Sequence, residues 1–231
     1  MLFFRFDWTI LLVIPGLIAS IWAQIKVSST FKKYSNMRTA KGLTGFMAAR
    51  RILDANGLSH VAIEQINGHL SDHYDPRANV IRLSRDVYSS SSPAAIGIAA
   101  HEAGHAIQYA TQYSPIKLRA GLVSITQFSS MLAIPLFFIG LMFASDYLML
   151  AGILLYAAIA FFQLVTLPVE FNASRRALKV LSSSGMLNSS ELDASKKVLS
   201  AAAMTYVAAL LTSLLTLLRL LLLANNRGNR R

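Results

Sequence analysis

The chain has 231 residues, 54% of them apolar and only 14% charged, with a mean hydropathy of +0.48. Soluble domains carry about 25% charged residues, so an ordinary cytosolic globule is excluded, as is a disordered chain. The net charge of +11, from 22 Lys+Arg against 11 Asp+Glu, fits nucleic acid, anionic lipid or the cytoplasmic loops of a membrane protein, and the hydropathy selects the last. No cysteine is present. Disulfides, thiolate zinc sites and a cysteine nucleophile are therefore ruled out, and any metal must sit on His, Asp and Glu.

Crossing about 30 Å of hydrocarbon takes roughly 20 apolar residues in a helix. The stretch from Trp8 to Ile25 is the first candidate; it carries no internal charge and has Trp8 and Trp22 near its ends as interfacial anchors. A cleaved signal peptide is disfavoured, because Arg5 is the only basic flank, Asp7 opposes it, and no small-x-small cleavage site precedes Gln24.

Residues 26–119 read as an α+β unit. Thr44 can cap a helix that Asn56-Gly57 ends. Val61 to Ile66, Asn67-Gly68, His69 to Tyr74, Asp75-Pro76 and Val80 to Ser84 then predict a three-stranded meander. Ser92-Pro93 opens a helix running to about Thr111. Leu122 to Ala144 and Tyr147 to Leu167, separated only by Ser145 and Asp146, predict an antiparallel membrane hairpin. A polar helix is expected from Pro168 to Leu181, then a Ser/Gly break and a short charged helix near Glu191 to Lys197. Val198 to Ala224 is the fourth span, with Arg219 expected to snorkel to the interface.

The expected layout is thus a membrane helix in 1–25, a catalytic segment in 26–119, a hairpin in 120–167, a polar segment in 168–197 and a last helix with a basic tail in 198–231. Twelve Lys/Arg lie between Lys26 and Arg119 and five between Pro168 and Lys197. Positive charge on one face predicts that face to be cytoplasmic in a multi-pass protein of the cell membrane, although Arg227, Arg230 and Arg231 break the pattern. The basic pI needs no nucleic acid, since anionic headgroups account for it.

Within the helix begun at Pro93 stands His101-Glu102-Ala103-Gly104-His105. Residues four apart share a helix face, so both imidazoles can reach one Zn2+, while Glu102 can serve as general base for the attacking water. Two ordinary buried histidines would instead leave Glu102 desolvated without reason. A catalytic zinc needs a third ligand. Gln108 and Thr111 stand where the metzincin pattern needs Gly and His. Glu170, the only acid between Asp146 and Glu191, is the remaining candidate; the ordinary explanation is favourable interaction with a helix N-terminus and with Arg175 or Arg176.

These residues, together with Gly68-His69-Leu70-Ser71-Asp72-His73-Tyr74-Asp75-Pro76, Arg82-Leu83-Ser84 and Leu167-Pro168-Val169-Glu170-Phe171-Asn172-Ala173-Ser174, resemble the bacterial YugP-type membrane zinc metallopeptidases over nearly the whole chain. The resemblance implies a gluzincin-like site with His101, His105 and Glu170 on zinc. More distantly the layout is similar to the HtpX and prenyl-protein proteases, in which an aspartate four residues past the glutamate supports a zinc-binding histidine. Ser174 stands in that place here, so support must be weaker or come from elsewhere.

His69 and His73 would lie about 13 Å apart on one strand, too far for a second metal. His73 or Tyr74 is a candidate donor to a tetrahedral oxyanion, with turn chemistry by Asp72 and Asp75 as the alternative. Val80 to Ser84 is the expected edge strand for a peptide substrate. Arg175 and Arg176 either steady carboxylates or face headgroups.

The expectation is a mainly α membrane protein with about four transmembrane helices and a small zincin-like catalytic unit beside the membrane. It would cleave protein or peptide substrates in or near the bilayer. A non-catalytic metal-binding scaffold and an intramembrane metalloprotease are the alternatives.

Overall fold

A computed structural model describes residues 8–228. Arg5, Asp7, Arg230, Arg231 and the side chain of Arg227 lie outside the described residues. After a 3-10 turn at Trp8–Leu12 come α1 (Ile14–Ser35), α2 (Gly45–Ala55), β1 (Ala62–Ile66), β2 (His73–Asp75), β3 (Val80–Ser84) and the short α3 (Arg85–Tyr88). Four long helices complete the described chain: α4 (Pro93–Ala110), α5 (Ser114–Met142), α6 (Asp146–Ser183) and α7 (Ser189–Gly228). The structure is mainly helical, and four helices are long and apolar enough to cross a membrane: Trp8–Ser35, Ser114–Met142, Asp146–Ser183 and Ser189–Asn226.

The chain divides into two compact units. One comprises Gln24–Lys117 and Pro168–Met204; the other holds residues 8–23, 118–167 and 205–228 among those described.

In the first unit the caps form where the residue types dictate. Thr44 accepts from the amide of Met47 and Ser92 from that of Ala95, each at 3.2 Å, with Pro93 following where no amide partner is needed. Gly57, at φ +73°, ends α2 as a residue free of the Cβ penalty. Arg50 on α2 donates from Nη1 to the carbonyl of Val61 at 2.7 Å, tying the helix to the entry of β1. The apolar interior joins Ile52 and Leu53 of α2, Ile81 and Leu83 of β3, Ile96 of α4 and Leu181 of α6, all fully buried.

The sheet corrects the expected meander. Its order is β1-β3-β2, with β1 parallel and β2 antiparallel to β3. Asn67-Gly68 therefore makes no hairpin: a parallel partner needs a connection of about a dozen residues, which 67–79 supply, and β2 begins only at His73. β3 is the most buried strand and takes the centre, whereas β1 is largely exposed. Val80 to Ser84 is thus not an edge strand: β1 pairs its whole length on one side and β2 pairs Val80 to Arg82 on the other.

Two further expectations are corrected. No helix begins at Pro168: α6 runs through it, so Glu170 lies in mid-helix and not at an N-terminus. Proline removes one ladder bond and the helix continues on either side, as apolar helices tolerate. The charged segment at Glu191–Lys197 is likewise no separate helix but the first turns of α7. Asn188 caps it in a reciprocal box with Glu191: the Glu191 amide donates to Asn188 Oδ1 and the Asn188 amide to Glu191 Oε2, each at 2.9 Å.

In the other unit helices meet through small residues. A Cβ on Gly140 would come within 2.6 Å of the Met149 amide nitrogen, and one on Gly152 within 2.7 Å of Phe137, so α5 and α6 pack closely as an antiparallel pair. Gly16 on α1 faces Thr212 on α7 in the same way, beside a 3.2 Å Ser20–Thr212 hydroxyl contact. Arg219 Nε donates to Thr9 Oγ1 at 3.4 Å.

Candidate metal centre

The centre is built where α4 crosses α6, and a glycine sets the approach. A Cβ on Gly104 would stand 2.7 Å from the carbonyl oxygen of Ala173. Only hydrogen fits there. With the helices this close, residues within a turn of Gly104 and Ala173 face one another.

Three of them converge. His101 Nε2 and His105 Nε2 are 3.1 Å apart, and Glu170 Oε2 lies 3.2 Å from the first and 3.5 Å from the second. The side chains are 15%, 11% and 3% exposed, respectively. Among the described residues this is the one group of three metal-ligating side chains gathered closely enough for an ion. The geometry fits zinc: donors 2.0–2.1 Å from a tetrahedral ion stand about 3.3 Å from each other, and zinc takes imidazole nitrogen and carboxylate oxygen readily. Two neutral imidazole nitrogens and a carboxylate oxygen crowded together in a buried place would otherwise need a shared proton or cation to offset their mutual repulsion.

Glu102, next in angle on α4, is buried, and its charge reaches both His105 and Asp72. Burial opposes a charge on His105, but its bond to Glu170 and the charges of Glu102 and Glu170 outweigh that and hold its pKa above the ordinary 6.5. In the absence of a cation a proton on His105 is thus held more tightly than on an ordinary imidazole, and a metal there competes with it. Asp72 accepts from the Ser84 amide at 2.7 Å and the Ser84 hydroxyl at 3.1 Å. Burial, reinforced by Glu102 and countered by Ser84, pushes its pKa up.

Behind the ligands the support is neutral. Ser174 Oγ is 3.0 Å from His101 Nδ1, and Gln108 Oε1 is 3.0 Å from His105 Nδ1. Gln108, fully buried, was invisible as a site residue in the sequence; its position three residues past His105, on the same helix face, was the available signal. Arg176 donates from Nε to Asn172 Oδ1 at 2.8 Å and stands 5.9 Å over the Tyr113 ring. It steadies an amide, and not the carboxylate considered for it. Arg175 lines a cavity of about 800 Å³ between α6 and α7, together with Ser174, Lys179 and Lys196.

The structure does not join His73 or Tyr74 to this cluster by any described contact. His73 Nδ1 is 2.9 Å from the Ser71 carbonyl oxygen, and the Tyr74 hydroxyl donates to Asn79 Oδ1 at 2.8 Å. The Tyr74 ring does reach α4, packing 5.6 Å from that of Tyr109. His69 points elsewhere, 2.8 Å from Asp86 Oδ2 and edge-on to Phe31. Asp75 performs the expected turn chemistry, accepting from the amides of Arg77 and Ala78.

The family profile described as "Putative neutral zinc metallopeptidase" matches residues 9–225. The chain belongs to this family. It is also 48% identical over 217 residues, covering 94% of this chain and 96% of the relative, to a Bacillus subtilis (strain 168) protein named "Putative membrane protease YugP". No solved structure matches it. The relative's name and the four apolar helices agree on a multi-pass membrane protein.

Proposed function

We propose that the chain is a zinc-dependent, membrane-bound endopeptidase with a gluzincin-like, zincin-type site. His101, His105 and Glu170 would hold the ion and Glu102 would act as general base. The observation that carries this reading is the triangle of donor atoms, 3.1 to 3.5 Å on a side, with a further buried carboxylate on the next residue of the same helix.

Zinc bound by such a set supplies Lewis acidity, which makes water nucleophilic at neutral pH and polarises a peptide carbonyl. The chain's own residues do the rest. The Glu102 carboxylate takes a proton from the attacking water and returns it to the leaving amine nitrogen, so no covalent acyl intermediate with the protein is required. Ser174 and Gln108 hold the two rings in orientation from behind. The preponderance of Lys and Arg in residues 26–119 and 168–197 supports a cytoplasmic catalytic face. That placement supports protein or peptide substrates in or near the bilayer.

The test is Glu102→Gln in the full chain purified in detergent. This variant is expected to keep zinc at the wild-type level while losing at least a hundredfold in cleavage of unfolded membrane proteins or casein-like peptides. Equal inertness of wild type and variant, with zinc bound in both, would instead support a metal-binding scaffold. Lipid protection of single cysteines introduced throughout 94–109 would support an intramembrane protease.

A further inference from the structure

Hydrogen-bond polarity can be read outward from groups that have only one role. Arg176 Nε can only donate, so the Asn172 atom 2.8 Å from it is the amide oxygen. The carbonyl of Val169 can only accept, so the Gln108 atom 2.8 Å from it is the amide nitrogen. The two assignments agree with each other, because that same Gln108 nitrogen donates to Asn172 Oδ1 at 3.0 Å. Both Gln108 N–H groups are then spent on Val169 and Asn172. What remains for His105 is the Gln108 oxygen, 3.0 Å from Nδ1.

An oxygen there requires Nδ1 to carry the hydrogen. In a neutral imidazole the lone pair then falls on Nε2, the atom that faces His101 and Glu170. His101 has no such constraint, since the Ser174 hydroxyl can donate or accept.

We propose that Gln108 is a positioning residue, oriented by Val169 and by Asn172 with Arg176, that holds His105 in the tautomer able to ligate a metal. The inference rests on the metal-centre reading above. Full burial makes the relay demanding: a Gln108 turned the other way would set its amide oxygen against two acceptors, the Val169 carbonyl and Asn172 Oδ1, with no donor between them.

The experiment measures zinc affinity of the full chain in detergent by competition with a chromophoric chelator, alongside the thermal midpoint of each metal-free variant. Gln108→Leu is expected to weaken zinc 10- to 100-fold. Asn172→Leu should weaken it several-fold, whereas Asn172→Asp, which keeps an acceptor for both Arg176 and Gln108, should restore wild-type affinity. In the Gln108→Leu background, Asn172→Leu should have no further effect on zinc, whatever it does to the midpoint. A merely structural role would give independent losses in the double variant and no rescue by aspartate, and either result overturns the relay. If Gln108→Leu fails to fold, the two Asn172 variants decide alone. Wild-type zinc binding with Gln108→Leu unchanged would overturn the relay only, while a wild type that takes up no zinc overturns the metal reading and the relay together.

Discussion

The two units of this protein solve the problem of burying apolar side chains in opposite ways. The unit of Gln24–Lys117 and Pro168–Met204 puts Ile52, Leu53, Ile81 and Leu83 fully inside and packs polar groups around them. The other turns many of its large side chains outward, with Leu154 61% and Phe128 60% exposed, buries a small cluster at Phe137, Met149 and Leu220, and brings its helices together through Gly16, Gly140 and Gly152. The first pattern is that of a chain surrounded by water, the second that of a chain surrounded by hydrocarbon, where helix contact rests on close backbone approach. The crossing of α4 and α6 borrows the second device for the first unit: Gly104 against Ala173 is a close approach used to gather ligands.

The comparison can be broken most strongly at matched leucines. Leu83→Ala, in the water-type core, should cost about 2–5 kcal/mol in unfolding free energy, whereas Leu154→Ala should stay within about 0.5 kcal/mol. Denaturant unfolding in detergent checks both, and equal losses would erase the distinction between the units.

A smaller effect is expected at the crossing. Gly104→Val forces a side chain against the Ala173 carbonyl and should cost about 1–3 kcal/mol. It should also lower zinc content, because α6 carries Glu170. Gly152→Val should disturb helix packing with zinc content unchanged, as metal analysis would record.

Acidification sharpens the account of the centre. The His105 pKa is raised above 6.5 in the metal-free protein, so protons compete for Nε2 from above that pH downward. Zinc affinity should therefore already be falling in the window just above pH 6.5, as chelator competition would measure. An affinity flat across that window would contradict the raised pKa.

The smallest effect lies in the sheet. Hydrogen bonding from Arg82, then from the amides of Ala78 and Arg77, holds the Asp75 carboxyl down at about 2. Its stabilising contribution is present above the ordinary value of 3.8 and is lost as pH falls toward 2. Arg82→Met should move the Asp75 titration, followed by NMR, back up toward 3.8.

What the sequence made legible was local or periodic. The four apolar stretches, the Thr44 and Ser92 caps, and two imidazoles one turn apart each depend on neighbours within a few residues. Strand order did not show, because the Asn67-Gly68 signal describes a turn and not the partner that follows it; burial of Val80, Ile81 and Leu83 decided that β3 takes the centre. Pro168 misled for a similar reason, since its missing N–H marks a helix start only where the preceding turn lacks support. Glu170 was found by elimination among few acids, but its mid-helix position and its partners came from the α4–α6 crossing. Gln108 and Asn172 showed no role of their own, and Arg176 showed only a choice between carboxylates and headgroups: their roles come from contacts across the α4–α6 crossing, such as that of Gln108 with Asn172, some sixty positions apart in the chain.

The central claim is that His101, His105 and Glu170 form one ligand set. It is tested most directly by metal analysis of the purified full chain beside Glu170→Ala and His101→Ala. The account predicts close to one zinc per wild-type chain and a fall to near zero in both variants, with helical content unchanged. Zinc retained at the wild-type level in Glu170→Ala, or none in the wild type after supplementation, would contradict it.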